Sequence, residues 1–449
     1  MKLGRSNFFD GLNTFKISKD DLSILPSTRD YQSTIFELIK SAKKRIYITA
    51  LYLQDDAAGA AVLTALYKAK QKNPKLEIKV FVDFLRAQRG LVGHTKSIGN
   101  IRLYREMHSK YEHPIEIFGV TVKRREFLGV LHLKGLIFDD ALLYTGASIN
   151  DVYLHYGDRY RADRYHLIDS ADLADSFVRY LNMNLVNNGT ATSLTDLELP
   201  SIKNLRSNIR RQKILLRGSE YQFHRNNRTE KNDTISLTPI IGFGRRKNQL
   251  NKTILQLIKE TEKEVVIFTP YFNFPTKVNK AVLRLLRKSK KVTVIVGDKR
   301  ANDFFIPEDK KFEKIGILPY VYESNLKRFL KSNQQHIDAG HLNVHLWKDQ
   351  GNSFHLKGIN SDQSKYLITG HNINPRAWRL DLENGVLIQD PEQELLTKFD
   401  TELELVMANC TKVHHFDEID NPTEYPAEAR KFLKNMKRAR IDRLLNQFL

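Results

Sequence analysis

The tetrad His-Leu-Lys-Gly occurs twice in this chain, and each copy is followed at the same distance by an aspartate. The two sets are His132, Lys134, Asp139 and His355, Lys357, Asp362. A single match to so short a pattern carries a substantial risk of coincidence. A second match with the same tetrad favours a shared chemical role over two unrelated surface pairs.

The paired motifs contain the residue types that a phosphoryl-type transfer needs. An imidazole is a nucleophile when neutral and a general acid when protonated, and both forms exist near neutral pH. One histidine can therefore attack phosphorus to form a covalent phosphohistidine. The other can protonate the departing oxygen and later deprotonate the acceptor. Lys134 and Lys357 can hold the equatorial oxygens, so this chemistry does not require a metal ion.

The spacing within each motif predicts a strand. In an extended segment, a histidine and a lysine two residues apart lie on one face while the residue between them points the other way. Residues 130–138 and 353–359 are each followed by a second short strand that ends in glycine, so a hairpin is repeated. The turns that follow, residues 146–150 and 370–374, offer backbone and amide donors suited to phosphate.

The duplication extends upstream of the motifs. Residues 36–52 and 255–271 each lead from a helical segment into an apolar strand, and each continues into an amphipathic helix and another strand. This β-α-β order predicts an α/β fold with a mixed sheet flanked by helices in each half. We expect two tandem domains related by a pseudo-two-fold axis, with both motifs in one composite site. The expected divisions are residues 1–200, a basic helix and linker at 201–233, residues 234–410, and a basic amphipathic helical tail at 411–449.

Three apolar segments leave a choice between membrane contact and ordinary packing. The predicted terminal helix at residues 427–448 has an apolar stripe beside many Lys and Arg side chains. Residues 304–307 and 315–322 are apolar and have basic neighbours. Such segments either contact an anionic bilayer or pack on the body of the protein. The sequence favours neither alternative.

The composition favours an anionic partner. The 449 residues include 72 Lys and Arg against 52 Asp and Glu, which gives a net charge of +20. Nucleic acid, an acidic lipid surface and phosphorylated metabolites all fit this charge. Cys410 is the single cysteine, which excludes an intramolecular disulfide. We expect a soluble or peripheral protein, because no apolar run is long enough to span a bilayer and no secretory signal is visible.

The complete pattern resembles the phospholipase D superfamily. Its marks are the doubled motif, the glycine turns and the run Asn-Ile-Asn-Pro-Arg-Ala-Trp-Arg-Leu-Asp-Leu-Glu at residues 372–383. Residues 132–168 are similar to the phosphatidylserine synthases of Gram-negative bacteria. The resemblance implies tandem phospholipase D-like domains and phosphatidyl transfer from CDP-diacylglycerol to L-serine through a phosphatidyl-histidine. It also implies no cofactor or metal, no specific nucleic acid, an anionic membrane surface as partner, and a cytoplasmic location at the periphery of the inner membrane.

The resemblance assigns roles to individual residues. His132 corresponds to the nucleophile and His355 to the acid and base, while Lys134 and Lys357 hold phosphate. Glu383 and Asp163 correspond to the carboxylates that orient the histidines. The predicted catalytic set also includes the motif aspartates, as structural supports of the site: Asp139 and Asp362.

The phosphate-contacting residues are predicted from the two glycine turns. Asn372 matches an asparagine that contacts phosphate in the family, and Asn374 lies two residues later in the same turn. In the first half, Ser148 stands where the first asparagine is expected and Asn150 falls two residues late. Either Ser148 or Asn150 is therefore expected to contact phosphate.

Other functions share parts of this pattern. A phospholipase or a cardiolipin synthase uses the same motifs with water or a lipid glycerol as acceptor. A nuclease of the superfamily exploits positive charge but often carries one motif per chain. A non-enzymatic basic adaptor predicts no need for two histidines in matching registers.

Overall fold

The computed structural model describes residues 8–89, 99–223, 234–307, 309–438 and 449. It contains two large mixed sheets with helices on their faces, one sheet for each half of the chain. The predicted α/β class with two similar halves is confirmed. No helix in the ranges just given is long and apolar enough to cross a membrane.

The first half of the chain contains ten strands and five α-helices within the described residues, and a sixth α-helix follows it. Its strands are β1 (Phe15–Ile17), β2 (Leu22–Ile24), β3 (Arg45–Thr49), β4 (Glu77–Asp83), β5 (Glu116–Val120), β6 (Gly135–Phe138), β7 (Ala141–Thr145), β8 (Arg161–Ala162), β9 (Tyr165–Asp169) and β10 (Ala191–Ser193). Its helices are α1 (Thr28–Ser41), α2 (Ala57–Lys72), α3 (Phe84–Ala87), α4 (Ile101–Lys110) and α5 (Ala171–Leu181), and α6 (Arg206–Leu215) leads towards the second half.

The first sheet has the order β10-β5-β4-β3-β6-β7-β9-β2. Strands β3, β4 and β5 are parallel, while β6, β7 and β9 are antiparallel to their neighbours. Parallel strands need long crossover connections, which contain α2 between β3 and β4 and α3 and α4 between β4 and β5. Strands β6 and β7 form the predicted hairpin, but β6 begins at Gly135, so His132 and Lys134 precede the strand on which they were predicted to lie.

The second half repeats this order. Its strands are β11 (Ile235–Phe243), β12 (Glu264–Thr269), β13 (Lys291–Gly297), β14 (Leu342–Trp347), β15 (Ser353–Phe354), β16 (Gly358–Ser361), β17 (Lys365–Thr369), β18 (Leu382–Gln389) and β19 (Cys410–Val413). Its helices are α7 (Gln249–Lys259), α8 (Thr276–Leu286), α9 (Leu318–Ser332), α10 (Gln334–Asp338), α11 (Pro375–Arg379), α12 (Leu396–Met407) and α13 (Ala427–Arg438). The sheet order is β1-β11-β18-β17-β16-β12-β13-β14-β19.

The two halves exchange strands and share a core. Strand β1, near the start of the chain, pairs with β11 and so belongs to the second sheet, which a linear division at residue 200 does not anticipate. Strand β8 pairs in parallel with β15 across the halves. One buried cluster contains Tyr144 and Phe177 from the first half with Ile241 and Val386 from the second. Because this apolar surface is shared, the halves are held in a fixed relation around the motifs.

The described parts of the apolar segments, for which the sequence left open membrane contact or internal packing, pack on the body of the protein. Tyr320 and Val321 of α9 are buried, and the ring centroids of Tyr320 and Tyr425 are 4.9 Å apart. Helix α13 buries Ala429 and Met436 and packs against the same cluster as Phe305. Packing is thus the alternative that the structure shows for these segments. Residues 439–448 of the predicted terminal helix lie outside the described residues.

Candidate active site

Each motif histidine lies on a segment that pairs with the opposite half. The backbone N–H of His132 donates to the carbonyl of Leu382 over 2.9 Å, and Leu382 donates to Val130 over 3.0 Å. In the same manner, the N–H of His355 donates to the carbonyl of Ala162 over 2.9 Å. Leu382 and Ala162 each immediately precede a buried carboxylate. The pairing therefore delivers a carboxylate from one half to the histidine of the other.

Glu383 and Asp163 each contact the Nδ1 atom of one motif histidine. Nδ1 of His132 lies 2.8 Å from Oε2 of Glu383, and Nδ1 of His355 lies 3.0 Å from Oδ2 of Asp163. All four side chains are at least nine-tenths buried. A partner at Nδ1 fixes the ring orientation and leaves Nε2 for the substrate. The structure thus brings together the four residues for which the sequence predicted this cooperation.

The motif lysines lie beneath the two glycine turns. Nζ of Lys134 donates to the carbonyl of Ala147 over 3.0 Å and to Oγ of Ser148 over 3.2 Å. Nζ of Lys357 donates to Oδ2 of Asp163 over 2.8 Å. A Cβ added at Gly146 would lie 2.6 Å from Nζ of Lys357, and one at Gly370 would lie 2.7 Å from Cγ of Lys134. The turns require glycine because the lysines of the opposite halves pass so close.

The two histidine sites differ in charge. Burial raises the pKa of Glu383 to about 8, so this carboxyl is mainly neutral at pH 7. Burial opposes ionisation of Asp163 too, but Lys357 and His355 outweigh it and lower the pKa of Asp163 below its ordinary value. Burial and the neighbouring motif lysine lower the pKa of both histidines. The carboxyl group that contacts His355 is therefore ionised at neutral pH, whereas the one that contacts His132 is mainly neutral.

The pKa values of the two motif lysines are also lowered. Burial and the charge of Lys357 lower the pKa of Lys134 to about 7, and burial lowers the pKa of Lys357 despite Asp163. Two buried cations that repel each other favour the binding of an anion between them. This arrangement suits a phosphate group.

The motif aspartates lie at the far ends of their strands from the histidines. Asp139 follows β6 and accepts hydrogen bonds from the backbone N–H groups of Lys43, Lys44 and Arg45 over 2.7 to 3.0 Å. Asp362 follows β16 and accepts from the N–H groups of residues 262–264 over 2.8 to 3.1 Å. Both residues have positive φ angles, 51° and 52°. They fix hairpin turns to the start of β3 or β12, and the structure does not bring them to the histidines.

The predicted phosphate-binding residues fall into two groups. Ser148 contacts Lys134, and Oδ1 of Asn372 is buried without a hydrogen-bond partner in the described part of the chain. Asn150 instead accepts from the N–H of Tyr153 over 3.1 Å, and Asn374 caps α11 through the N–H of Ala377 over 2.9 Å. Ser148 therefore lies against a motif lysine, whereas Oδ1 of Asn150 and of Asn374 stabilises its own turn; the contacts of all four with phosphate stay a prediction.

Further residues beside His355 have no signal in the motif pattern. The hydroxyl of Tyr153 lies 2.8 Å from Nδ1 of His355, and the guanidinium of Arg161 lies 4.8 Å from the centre of the Tyr153 ring. Nη1 of Arg161 lies 3.2 Å from Oδ2 of Asp303. Strand alternation relates Arg161 to Asp163, two residues later, and could have suggested it. Asp303 is distant in sequence and carries no such indication.

Asn384 connects the first motif to the segment between the halves. Its Oδ1 accepts from the backbone N–H of Lys134, and its Nδ2 donates to the carbonyl of Lys134, both over 2.8 Å. Nδ2 also donates to the hydroxyl of Tyr221 over 3.0 Å. This side chain continues the cross-half pairing beyond Glu383 and was not predicted from the sequence.

The fold and the site define the class of protein. Residues 35–181 and 254–406 match the family model described as "Cardiolipin synthase, PLD-like domain". One match falls in each half, and each includes one complete motif. A polyphosphate kinase from Porphyromonas gingivalis shares the fold alone, with 12% identity and a TM-score of 0.50 over 97% of this chain and 55% of that one.

Two more similar relatives narrow the class. The CDP-diacylglycerol–serine O-phosphatidyltransferase of Escherichia coli is 45% identical, over 96% of this chain and 95% of that protein. The crystal structure of a phosphatidylserine synthase from Haemophilus influenzae superposes with a TM-score of 0.94 and 42% identity, over 98% of each chain. The chain therefore belongs to the phospholipase D-like family and, within it, to the branch that contains these two synthases.

Proposed function

We propose that this protein transfers a phosphatidyl group from CDP-diacylglycerol to the hydroxyl of L-serine, with CMP as the other product. The observation that carries the proposal is the cross-half site, where each histidine is held by a carboxylate of the opposite half. The two relatives just described support the choice of donor and acceptor. Lys134, Lys357, Ser148 and Asn372 supply the groups that hold the phosphate.

His132 is the nucleophile in this proposal. Its partner Glu383 is mainly neutral at pH 7 because of its raised pKa, and a neutral carboxyl supports an imidazolium poorly. His132 therefore remains an uncharged imidazole. Its Nε2 attacks phosphorus, and a P–N bond forms as the bond from phosphorus to the CMP oxygen breaks.

His355 is the acid and then the base. The ionised Asp163 stabilises the imidazolium form, and an incoming diphosphate adds negative charge that raises the pKa of His355 in the complex. His355 gives its proton to the departing CMP oxygen. The neutral ring then accepts the proton of the serine hydroxyl, whose oxygen attacks phosphorus and breaks the P–N bond.

The reaction is tested with purified protein and CDP-diacylglycerol in mixed micelles, with and without L-serine. We expect serine-dependent phosphatidylserine and an equal amount of CMP, both measured by mass spectrometry. His132→Ala and His355→Ala should each lower the rate by at least about a thousandfold. His414→Ala, at an exposed histidine, serves as the matched control. CMP with phosphatidic acid alone would instead indicate a hydrolase, and no CMP would contradict the proposed donor.

The phosphatidyl-histidine intermediate has its own test. Two successive displacements at phosphorus invert its configuration twice, so a chiral thiophosphate analogue of the donor should give a product with retained configuration. Labelled CMP should also exchange into CDP-diacylglycerol without serine. A product with inverted configuration would rule out the covalent intermediate.

The rival functions differ in their acceptors. A cardiolipin synthase-type enzyme would transfer the phosphatidyl group to a lipid glycerol, and a phospholipase D would transfer it to water. A nuclease would cleave nucleic acid with the same histidines. The same assay distinguishes these functions. Phosphatidylglycerol replaces serine as the acceptor in one test, and DNA replaces CDP-diacylglycerol in another.

We propose peripheral association with the cytoplasmic face of the inner membrane through a basic and apolar surface beside the site. We define this surface by the exposed apolar side chains of Phe127, Ile214 and Leu215 with the neighbouring cations Lys213 and Arg217. The charges of Lys213 and Arg217 act on Lys123, which places α6 beside the segment that contains Phe127. Apolar side chains among cations suit an anionic bilayer. The carbonyl of Glu126 accepts from Arg376 over 2.9 Å, which links this surface to the His132 side of the site.

A further inference from the structure

An incompletely satisfied ion pair lies beside His355. Oδ2 of Asp303 accepts from the hydroxyl of Tyr271 over 2.9 Å and pairs with Nη1 of Arg161 over 3.2 Å. Oδ1 of Asp303 is buried and has no hydrogen-bond partner among residues 8–89, 99–223, 234–307 and 309–438. A buried carboxylate oxygen without a partner is costly, so it calls for an explanation.

The guanidinium of Arg161 offers a second group, of opposite charge. Nε of Arg161 donates to Oγ of Ser353 over 3.1 Å, and Nη1 is engaged by Asp303. Nη2 is the third nitrogen of this guanidinium. The pair therefore presents a carboxylate oxygen without a partner and, beside it, a guanidinium nitrogen outside these two contacts.

The pair lies next to the proposed acid and base. The Tyr153 ring, over which Arg161 lies, contacts His355, and the centre of the Tyr271 ring is 6.2 Å from the centre of the His355 ring. The negative charge of Asp303 also acts on both His355 and Lys357. One aromatic ring thus separates each member of the pair from the histidine that deprotonates the acceptor in the proposed function.

The His132 side differs in this register, although Oε1 of Glu383 is likewise buried without a hydrogen-bond partner in the described part of the chain. The residue two positions before Glu383, in the register of Arg161, is Asp381. Both of its oxygens are used, since Oδ1 accepts from the N–H of Val130 over 3.0 Å and Oδ2 accepts from Nε of Arg376 over 3.1 Å. The register position that holds a cation beside Asp163 therefore holds an anion, engaged by Val130 and Arg376, beside Glu383.

We propose that Asp303 and Arg161 form the receptor for the amino-acid part of the acceptor: Oδ1 of Asp303 binds the ammonium group and Nη2 of Arg161 binds the carboxylate. This inference rests on the proposed function and names the residues that select serine. A carboxylate at the acceptor site attracts an ammonium group and repels an acceptor that carries only negative charge. It would therefore disfavour glycerol 3-phosphate, the acceptor in the name of a 23% identical relative from Schizosaccharomyces pombe.

Two truncated acceptors test the two contacts separately. 3-Hydroxypropionate is serine without the ammonium group, and ethanolamine is serine without the carboxylate. The wild-type protein should use L-serine at least about tenfold better than either, because a lost charged hydrogen bond costs about a factor of ten or more. Equal use of L-serine and 3-hydroxypropionate by the wild-type protein would overturn the ammonium contact, whatever any variant does.

Variants of Asp303 should change the preference among acceptors, which the loss of a purely structural residue would not do. Asp303→Asn should raise the KM for L-serine and lower the preference for L-serine over 3-hydroxypropionate by about 10- to 100-fold. Asp303→Glu should restore part of that preference. Asp420→Asn is the matched control, because it removes a half-exposed carboxylate that pairs with nearby Lys299.

The outcomes separate this inference from the proposed function. A wild-type protein that makes no phosphatidylserine contradicts the proposed function itself. A wild-type protein that makes it, together with an Asp303→Asn variant of unchanged preference, contradicts only the receptor. If circular dichroism shows that Asp303→Asn is unfolded, Arg161→Lys is tested instead. Arg161→Lys should reduce the activity with L-serine and 3-hydroxypropionate more than the activity with ethanolamine.

Discussion

The carboxylates beside the histidines have different charges, although they occupy equivalent positions. Glu383 is buried where the charges of His371 and the motif lysines only partly offset the loss of water, whereas Asp163 contacts Lys357 and His355 directly. The ordinary pKa values of Asp and Glu are similar, so the environment causes the difference. At the scale of the residue, the site is asymmetric within a symmetric frame.

This asymmetry predicts unequal effects of two isosteric substitutions. Glu383→Gln replaces a carboxyl that is already mainly neutral and should lower kcat by less than about tenfold at pH 7. Asp163→Asn removes an ionised partner of His355 and should lower kcat by roughly a hundredfold or more. Steady-state assays of both variants in the same micelles provide the comparison. Equal losses would contradict the assigned charge states.

The residue scale also shows what a motif can reveal. The histidines and lysines were predicted from their repeated spacing, but the strands expected to carry them begin only after each lysine, at Gly135 and Gly358. The choice between Ser148 and Asn150 was left open, since a sequence register does not show which side chain bonds to its own turn. In the structure, Oδ1 of Asn150 accepts from the N–H of Tyr153, a local contact that the sequence register does not reveal.

At the scale of elements, helix α12 of the second half is tied to the segment before β9. Nε of Arg164 donates to Oε1 of Glu402 over 2.9 Å, and Nη2 donates to Oε2 over 2.5 Å. The guanidinium also lies 4.7 Å from the centre of the Phe268 ring. This bidentate pair is buried and joins the halves directly behind Asp163.

Loss of this pair should destabilise the whole chain. Glu402→Gln leaves the buried Arg164 without its anionic partner and should reduce the free energy of unfolding by about 3 kcal/mol. Urea denaturation followed by circular dichroism measures the change. Glu106→Gln, at an exposed ion pair with Arg102, is the control and should have no measurable effect. A similar result for both variants would show that the buried pair does not stabilise the assembly of the halves.

The same pair predicts a dependence on pH. Burial disfavours the Glu402 carboxylate, but Arg164 and His166 outweigh burial and lower the pKa of Glu402 below its ordinary value. A carboxyl group whose pKa is lowered on folding stabilises the protein at a pH above its ordinary pKa. This stabilisation is lost progressively as the pH falls below that ordinary pKa. The stability difference between the wild-type protein and Glu402→Gln should therefore shrink as the pH decreases below about 4.3.

At the scale of the whole molecule, the proposed membrane surface predicts the orientation of the protein. The double variant Phe127→Ser/Ile214→Ser should weaken binding to vesicles that contain phosphatidylglycerol by roughly tenfold or more. The remaining binding should fall as salt is added, because the cations are retained. Flotation of vesicles measures both effects. Leu197→Ser, at a side chain that is 90% exposed and outside this surface, is the control.

An unchanged affinity of the double variant would exclude this surface. Attention would then turn to the C-terminal part of the chain, where α13 exposes part of Phe432 beside basic residues. The sequence suggested residues 304–307 and 315–322 as alternatives, but the structure packs them against α13 or buries them in α9. Composition shows that a segment is apolar, whereas burial depends on neighbours that are distant in the chain.

The sequence by itself determined the α/β class, the duplication, the hairpins and the two histidine-lysine pairs. These features follow from local periodicity and from the repetition of one pattern, which are properties of neighbouring residues. Only the tertiary structure decided that β1 joins the second sheet, that the charges of Glu383 and Asp163 differ, and that Asp303 lies beside His355. These depend on contacts between segments that are distant in the sequence, where burial and nearby charges set the behaviour of a side chain.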